Sequence, residues 1–250
     1  PIVVISGQVK SNLIGTDSFQ ETDMIGISRP IVKHSFLVQR AEDIPDIVKK
    51  AFHIATTGRK GPVVIDIPKD FTDPEYKFEF NYPSEINMRS YNPPEGADTS
   101  RIKEAADLIA TAKRPVIYSG GGVNQNNASD ELTALAKLLN FPVTNTLMGL
   151  GAFPGSDTQF MGMLGMHGTY QANMAMHNAD LIIAVGARFD DRITNDPNQF
   201  ALSAKKIHID VDPASVSKII HADVPIVGSA KESLTALIEE LKSRDLKTNK

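Results

Sequence analysis

The chain has 250 residues, of which 41% are hydrophobic and 22% charged. That composition supplies a core for one large globular domain or two small ones. The formal net charge of −4 gives no basic field of the kind that nucleic-acid binding requires. No run of about 18 apolar residues predicts a membrane span, and the absence of cysteine excludes disulfides and fits a reducing compartment.

The first third of the chain predicts α/β structure. Residues 2–6 and 63–67 are β-branched apolar runs without polar alternation, which is typical of parallel strands covered on both faces. A helix is predicted over 41–57, where apolar residues recur at helical spacing and Gly58 ends the pattern. The chain enters the first strand directly, with neither Met nor a signal peptide, so we expect a piece of a longer protein.

Residues 71–98 differ in character from what precedes them. Pro74, Pro83, Pro93 and Pro94 fall among scattered aromatics without periodicity, which predicts an extended linker. The expected organisation is therefore one partial domain over 1–70 and a second domain over 99–250.

The second domain alternates strand and helix about five times, which predicts a Rossmann-like, doubly wound parallel sheet. Asp212 followed by Pro213 is a helix start signal, and Ser229 with Glu232 is a capping box. The predicted strands cover 115–119, 142–146, 181–185, 206–210 and 224–227. The predicted helices lie near 100–112, 129–139 and 168–178, with a short one from Asp212 and a last one from Ala230.

Ligands of such sheets bind beyond the carboxyl ends of the strands, where four segments of this chain fall. The first is "SGGGVNQN", 119–126, whose glycines permit a close approach of backbone to a ligand. It does not match G-x-G-x-x-G, and a plain tight turn explains it equally well.

Two further segments combine methionine with glycine. Six of the eight methionines lie between Met148 and Met176, within and beyond "NTLMGLGAFPG" and "MGMLGMHGTY". A methionine-filled core is the ordinary explanation. Alternation with glycine in an expected loop instead favours a flexible apolar wall against a flat organic ligand. His167 alone is more often a structural histidine, and no carboxylate stands at metal-ligand spacing.

The fourth segment, "LIIAVGARFDDRITND", places two arginines and two aspartates after an apolar strand. Surface salt bridges are the default interpretation. At a strand's carboxyl end, however, two guanidinium groups offer bidentate contacts to phosphate or carboxylate. Asp210 and Asp212 end the next strand, an acidic position suited to a ribose. Together these features predict a dinucleotide site, and spacing alone does not choose between FAD and NAD.

Over essentially its whole length the chain resembles the large catalytic subunit of acetohydroxyacid synthase (acetolactate synthase), a thiamine-diphosphate enzyme. The motifs that carry the resemblance are "GTDSFQETD", "ISRPIVKHSF", "GRKGPVVIDIPKD", "MLGMHGTYQANMAMHNADLIIAVGARFDDRIT" and "IHIDVDP". The resemblance implies that 1–70 ends a pyrimidine-binding domain and that 99–250 is the central FAD-binding domain. The family's catalytic Glu and its Gly-Asp-Gly motif for Mg²⁺ and the diphosphate are not found in this sequence.

The resemblance implies the condensation of two pyruvates, or of pyruvate and 2-oxobutyrate, to 2-acetolactate or 2-aceto-2-hydroxybutyrate with release of CO₂. This reaction belongs to branched-chain amino-acid biosynthesis. Implied cofactors are FAD, in a structural role, with thiamine diphosphate and Mg²⁺ held outside this chain. A homodimer or larger assembly, a small regulatory subunit and a cytoplasmic location are implied as well. We expect the 250-residue piece alone to be inactive.

Site residues are carried over position by position, as implications of the resemblance. Phe19, Gln20, Lys69, Met166 and Arg192 match active-site residues, and Arg192 matches the arginine that grips the second keto acid's carboxylate. The flavin site would comprise Arg59, Gly120, Gly121, Gly122, Asn124, Thr146, Leu147, Leu164, Gly165, Met166, His167, Gly186, Ala187, Arg188, Asp190, Arg192, Ile193, Asp210 and Val211.

The sequence departs from the family pattern at two positions. Lys10 stands where most members have Pro, which leaves inhibitor sensitivity open, and Asn195 stands where Gly is usual. Asn tolerates positive φ better than most residues, so we expect the turn to survive. Asp191 has no matched role, and we expect it to brace one of the arginines.

Two other functions fit parts of the sequence. One is a different thiamine-diphosphate enzyme, of the pyruvate oxidase or glyoxylate carboligase type, against which "ARFDDR" with Met166 and His167 argues. The other is a non-catalytic nucleotide-binding module, which would have no use for the Phe19–Gln20 pair.

Overall fold

A computed structural model describes residues 1–94 and 96–244. The chain forms two compact units, Pro1–Pro93 and Pro94–Lys250, called unit 1 and unit 2 below. The last part of the predicted second domain, 245–250, lies outside the described residues.

Unit 1 is built on a parallel three-stranded sheet in the order β1-β3-β2. The two predicted strands and the predicted helix are confirmed. The middle strand in sequence and the short helix before it were missed because each is only four or five residues long. The elements are β1 (Ile2–Gln8), α1 (Met24–Ser28), β2 (His34–Leu37), α2 (Ile44–Thr56) and β3 (Pro62–Pro68), with 3-10 turns at Ser11–Leu13, Ala41–Asp43 and Lys69–Thr72.

The small core of unit 1 forms where α2 packs on the sheet. Ala51, Ile54 and Ala55 of the helix contact Val63 and Ile65 of β3 in one buried cluster. β3 lies between its two neighbours and is buried, as its unbroken apolar run predicts.

β1 does not match the prediction of a strand covered on both faces. It is an edge strand, and Ile2 and Ile5 are 59% and 66% exposed in the described chain. The same β-branched pattern therefore gave a buried strand in one place and a half-exposed edge strand in another.

The predicted linker over 71–98 is not a separate extended segment. Met88 and Tyr91 pack against the core of unit 1, and the Tyr91 hydroxyl accepts a 2.6 Å hydrogen bond from Lys33 Nζ. The unit boundary consequently falls at Pro93–Pro94 rather than at residue 70. As the proline-rich composition predicted, the described residues between 73 and 98 form neither helix nor strand, but the composition carried no information about their packing.

Unit 2 contains a six-stranded, wholly parallel sheet in the order β6-β5-β4-β7-β8-β9. Its strands are β4 (Pro115–Ser119), β5 (Val143–Asn145), β6 (Phe160–Met163), β7 (Leu181–Val185), β8 (Lys205–Asp210) and β9 (Val224–Val227). Its helices are α3 (Ile102–Thr111), α4 (Gly121–Gln125), α5 (Ser129–Leu139), α6 (Tyr170–Asn178), α7 (Asp191–Thr194) and α8 (Ala230–Ser243), with 3-10 turns at Thr99–Arg101 and Leu147–Gly149.

The direction of the chain across this sheet reverses between β4 and β7. From β4 the chain moves outward through β5 to β6, and then returns to place β7 on the other side of β4. Because all six strands are parallel, the loops after β4, β5, β6, β7 and β8 meet at one edge of the sheet, where ligands bind in open α/β sheets.

Helices and loops cover both faces of the sheet. Along β7, Leu181, Ile183 and Val185 pack with the helices α3, α5 and α8, whereas Ile182 and Ala184 pack with α6 and the loop that follows β7. The all-apolar sequence of β7 therefore reflects burial on both sides.

Three local predictions in unit 2 are wrong. Asp212–Pro213 opens a run of turns rather than a helix, with Asp212 Oδ1 accepting from Ala214 N at 3.0 Å. Ser229 is the N-cap of α8, but its side chain makes no capping hydrogen bond. Met161 and Met163 lie in β6 rather than in a loop, where Gly162, at φ +90°, accompanies a register shift that disguised the strand.

Candidate functional site

The loops after β4 and β7 interlock through glycine backbone at the point where the sheet order reverses. Gly122 N donates to Gly186 O at 2.9 Å, and Gly120 N donates to Val185 O at 2.9 Å. A Cβ on Gly122 would lie 2.6 Å from Gly186 Cα, and one on Gly120 would lie 2.6 Å from Ala187 Cα. Packing of one loop's backbone against the other therefore requires both glycines. The sequence had suggested only a close approach to a ligand or a plain tight turn.

The loop after β5 is fixed to the same place. Thr146 N donates to Ser119 O at 2.9 Å, and the Thr146 hydroxyl accepts from Gly149 N at 2.9 Å. Asn124 was predicted to bind the cofactor, but its side-chain amide donates to the carbonyls of Met148 at 3.0 Å and Leu150 at 3.3 Å. Asn124 thus braces the loop that presents Leu147 and Met148.

The loop after β6 is held by an asparagine and by the loop after β7. Asn173 of α6 accepts from Gly165 N and donates to Gly165 O, both at 3.0 Å. Met166 N donates to Arg192 O at 2.9 Å. A Cβ on Gly165, whose φ is +102°, would lie 2.6 Å from Arg192 O, so the two loops share one tightly packed backbone contact.

The charged segment after β7 is a capped turn of helix. Asp190 Oδ1 accepts from Arg192 N at 3.2 Å, and Asp190 Oδ2 lies 3.3 Å from Arg188 Nε. Asp191 Oδ2 lies 3.8 Å from Arg192 Nη1, and both side chains are largely exposed. Asp191 therefore pairs with one of the arginines, as expected, but this exposed pair contributes little, whereas Asp190 both caps the turn and pairs with Arg188.

One acidic and one basic side chain at this edge differ in their exposure to solvent. The Asp210 carboxylate at the end of β8 is mostly buried and accepts from Asp212 N at 2.9 Å. The Arg188 side chain is 66% exposed. Val211 is half-buried beside Asp210.

Apolar side chains are exposed at the same edge of the sheet. Leu147, Met148 and Met166 are 68%, 72% and 62% exposed. His167 is exposed as well, while Leu164 is buried and Ile193 half-buried. Exposed apolar side chains, a mostly buried carboxylate and a guanidinium group thus occur along one edge of the sheet, a combination that can bind a flat, partly polar ligand.

The remaining predicted site residues belong to unit 1. Phe19 and Gln20 lie in the loop after β1, and Lys69 directly follows β3. β1 and β3 are adjacent and parallel, with Gln8 opposite Pro68, so both loops leave the same edge of that sheet. Phe19 is 90% exposed, and Arg59 is an exposed residue shortly after α2.

Carboxylates tie the Phe19–Gln20 loop together. The Glu21 carboxylate accepts from Gly15 N and, at 3.1 Å, from Ser18 N. These backbone donors, Gly15 first, lower the pKa of Glu21. The Asp70 carboxylate accepts from Ser11 N at 2.8 Å. Burial acts to raise the pKa of Asp70, but the hydrogen bonds from Ser11 outweigh it, and the pKa is lowered. Gln20 itself has a φ of +67°.

A cavity of about 510 Å³ lies at the opposite, amino end of the unit 2 strands, among Pro115, Pro142 and the last turns of α3, α5 and α6. It contains none of the predicted site residues. Within the described ranges, no group of three or more His, Asp or Glu residues could hold a metal ion, and no helix has both the length and the apolarity to cross a membrane.

Residues 102–237 match the family model for the central domain of thiamine pyrophosphate enzymes. This match covers more than half of the chain and coincides with the sheet of unit 2. The chain belongs to this family. The fold expected from the sequence, α/β with parallel sheets, agrees with that membership.

The predicted resemblance is confirmed by curated relatives named acetolactate synthase large subunit. Those of Buchnera aphidicola subsp. Schizaphis graminum and Haemophilus influenzae are 57% and 54% identical over 97% and 99% of this chain. The isozyme 3 large subunit of Escherichia coli is 53% identical over 96% of it. The chain spans 42–43% of the length of these three proteins.

Sequence reasoning missed several residues that shape the site. Met148 lies within a quoted motif but was not assigned, and Asn173 is hidden in a weakly amphipathic helix. Tyr118 and His208 were treated as strand interior. A signal was available for these two, because a tyrosine and a histidine inside otherwise apolar parallel strands need hydrogen-bond partners when buried.

Proposed function

We propose that this chain is part of the large catalytic subunit of an acetolactate synthase, in which unit 2 is a Rossmann-like FAD-binding domain and unit 1 ends the pyrimidine-binding domain. The observation that carries the proposal is the extent of the similarity. The relatives match 96–99% of the chain and so both units, whereas the central-domain model covers only 102–237.

The geometry of unit 2 supports FAD as the ligand of its carboxyl edge. Counted within the unit, the strand order is 3-2-1-4-5-6, which is that of dinucleotide-binding sheets. The exposed Leu147, Met148 and Met166 suit a planar ring, Arg188 suits a phosphate, and Asp210 suits ribose or adenine. In this proposal FAD has a structural role and undergoes no net redox change.

Each unit would supply residues to carboligation. Gln20 would hydrogen-bond the reacting keto acid, Phe19 would shape its pocket and Lys69 would lie at the pocket rim. Arg192, whose guanidinium is exposed next to the capped turn α7, would bind the carboxylate of the second 2-keto acid, pyruvate or 2-oxobutyrate. A bidentate contact of this kind orients the acceptor for attack.

Thiamine diphosphate would supply the carbanion chemistry, and its residues, like those for Mg²⁺, would lie elsewhere in the full-length protein. A homodimer or larger assembly, a small regulatory subunit and a cytoplasmic location complete the proposal. The relatives are named as large subunits, which supports the presence of a smaller partner subunit.

The test is an assay of the purified full-length protein with pyruvate, thiamine diphosphate, Mg²⁺ and FAD. We expect acetolactate and CO₂ without oxygen consumption, and no product from the 250-residue piece. Oxygen uptake with oxidised products would instead identify a pyruvate oxidase, and acetolactate formation by the piece alone would contradict the assignment of catalytic groups to the rest of the protein.

A further inference from the structure

Two buried polar rings face the loop after β7 from the strands on either side of it. Tyr118 of β4 lies opposite Ala184 of β7, and Ala184 lies opposite His208 of β8, so the three residues form one row across the sheet. Tyr118 and His208 are fully buried. Ile207 and Ile209, the neighbours of His208 in β8, face the other side of the sheet.

Each ring donates a hydrogen bond to a loop carbonyl. The Tyr118 hydroxyl donates to Arg188 O at 3.2 Å, and His208 Nε2 lies 2.9 Å from Ala187 O. Because a carbonyl oxygen only accepts, the His208 proton must be on Nε2. Burial lowers the pKa of His208, against the opposing effects of Asp210 and the Ala187 carbonyl, and so favours the neutral ring.

Phe189 fastens the same loop by packing. Its ring is 5% exposed and lies with its centroid 5.6 Å from that of Tyr118 and 5.3 Å from that of His208. The small side chain of Ala184 leaves room between the two polar rings. Three consecutive loop residues are thus fixed, two by carbonyl hydrogen bonds and one by a buried aromatic ring.

We propose that Tyr118 and His208 are positioning residues of the flavin and acceptor site. By fixing the carbonyls of Ala187 and Arg188, they set the path of the backbone that carries the Arg188 side chain, the Asp190 cap and the Arg192 turn. This inference rests on the proposed function. If either ring loses its donor, the carbonyl that it contacts, of Arg188 or of Ala187, is left without a hydrogen bond. We expect the loop to shift so that this carbonyl finds a new partner.

The test compares two replacements of His208 in the full-length protein. His208→Gln keeps an N–H donor at similar reach, whereas His208→Met keeps the length but removes the donor. We expect His208→Met to weaken FAD binding about tenfold and to raise the KM of the second 2-keto acid more than that of the first, and His208→Gln to stay within about threefold of wild type.

Tyr118→Phe removes one hydroxyl and should weaken FAD binding about fivefold. Its matched control is Tyr76→Phe in unit 1, which removes a hydroxyl that donates to the Glu42 carboxylate at 3.5 Å and should leave FAD binding unchanged. If His208→Met does not fold, Tyr118→Phe against Tyr76→Phe decides the question.

Flavin fluorescence quenching and thermal unfolding should be measured on every variant. Equal effects of His208→Met and His208→Gln, or lower melting temperatures with unchanged FAD affinity, would show that the rings only stabilise the fold and would overturn the inference. A wild-type protein that binds no FAD would instead overturn the proposed function itself.

Discussion

The carboxyl-edge loops of unit 2 and the Phe19–Gln20 loop of unit 1 both carry predicted site residues, but they are held in opposite ways. In unit 2 the loops are fixed by close glycine packing and buried donors, as at Gly122 and His208. In unit 1 the loop is tied at the surface by carboxylates that accept backbone N–H bonds, as at Glu21. Steric substitutions should therefore damage the first region, and charge or pH changes the second.

The largest expected effect is steric. Gly120→Ala places a methyl group against the backbone of Gly186 and Ala187, which cannot yield without moving the loop. We expect the free energy of unfolding of unit 2, measured in urea, to fall by about 3 kcal/mol. Gly155→Ala, in the same unit, is the control: a Cβ there meets only the Phe160 ring, at an ordinary contact distance of 3.9 Å, and should change this free energy by less than about 0.5 kcal/mol. If both variants lose a similar free energy of unfolding, close glycine packing is not what fixes the loops of unit 2.

The two arginines after β7 should separate by function. Arg192→Ala in the full-length protein should raise the KM of the second 2-keto acid at least about tenfold and weaken FAD binding by much less. Arg188→Ala should weaken FAD binding instead. Steady-state kinetics with pyruvate and 2-oxobutyrate, together with flavin titration, check both variants. Loss of FAD in Arg192→Ala with unchanged acceptor affinity would show that its proposed role is wrong.

Asn195 offers a smaller effect in the same region. Its φ of 53° matches the positive value expected, but its ψ of −94° lies outside the left-handed helical region that Asn adopts readily. Asn195→Gly should therefore stabilise unit 2 by about 1 kcal/mol. Asn140→Gly is the matched control, because Asn140 has φ 53° and ψ 39°, and should change stability by only a few tenths. If Asn195→Gly instead lowers the stability of unit 2, the backbone of Asn195 is not strained.

The smallest effect is local and electrostatic. Because the folded-state pKa of Glu21 is lowered from its ordinary value of 4.5, its bonds to Gly15 and Ser18 are fully present above that pH. They are lost as the pH falls through the lowered pKa. The ¹⁵N–¹H resonances of Gly15 and Ser18 should shift together with a midpoint below 4.5, and Glu21→Gln should abolish that titration. A midpoint at or above 4.5 would contradict the arrangement.

Strong periodicity and the burial of central strands were readable from the sequence, whereas the exposure of the edge strand β1 and local hydrogen bonding were not. β7 matches its predicted bounds, because a short, unbroken apolar run between predicted helices of an α/β domain indicates a buried parallel strand. β6 was missed because Gly162 and a register shift hide it. The capping box at Ser229 failed because a residue pattern permits a side-chain bond without requiring it.

At the candidate site, the sequence indicated which loops carry charge and glycine, but not which groups these side chains contact. The four charges after β7 were recognised, but the sequence could not say that Asp190, rather than Asp191, would cap the turn and pair with Arg188. Likewise the glycines at 120–122 indicated a close approach, and only the folded chain reveals that the group approaching Gly120 and Gly122 is the backbone of Gly186.

The central claim is that the carboxyl edge of unit 2 is a flavin site. The most direct measurement is a titration of the purified, cofactor-stripped full-length protein with FAD and, separately, with NAD, followed by fluorescence. The account predicts saturable binding of one FAD per chain with a protein-bound flavin absorption spectrum, and no binding of NAD at comparable concentration. Binding of NAD without FAD would contradict it.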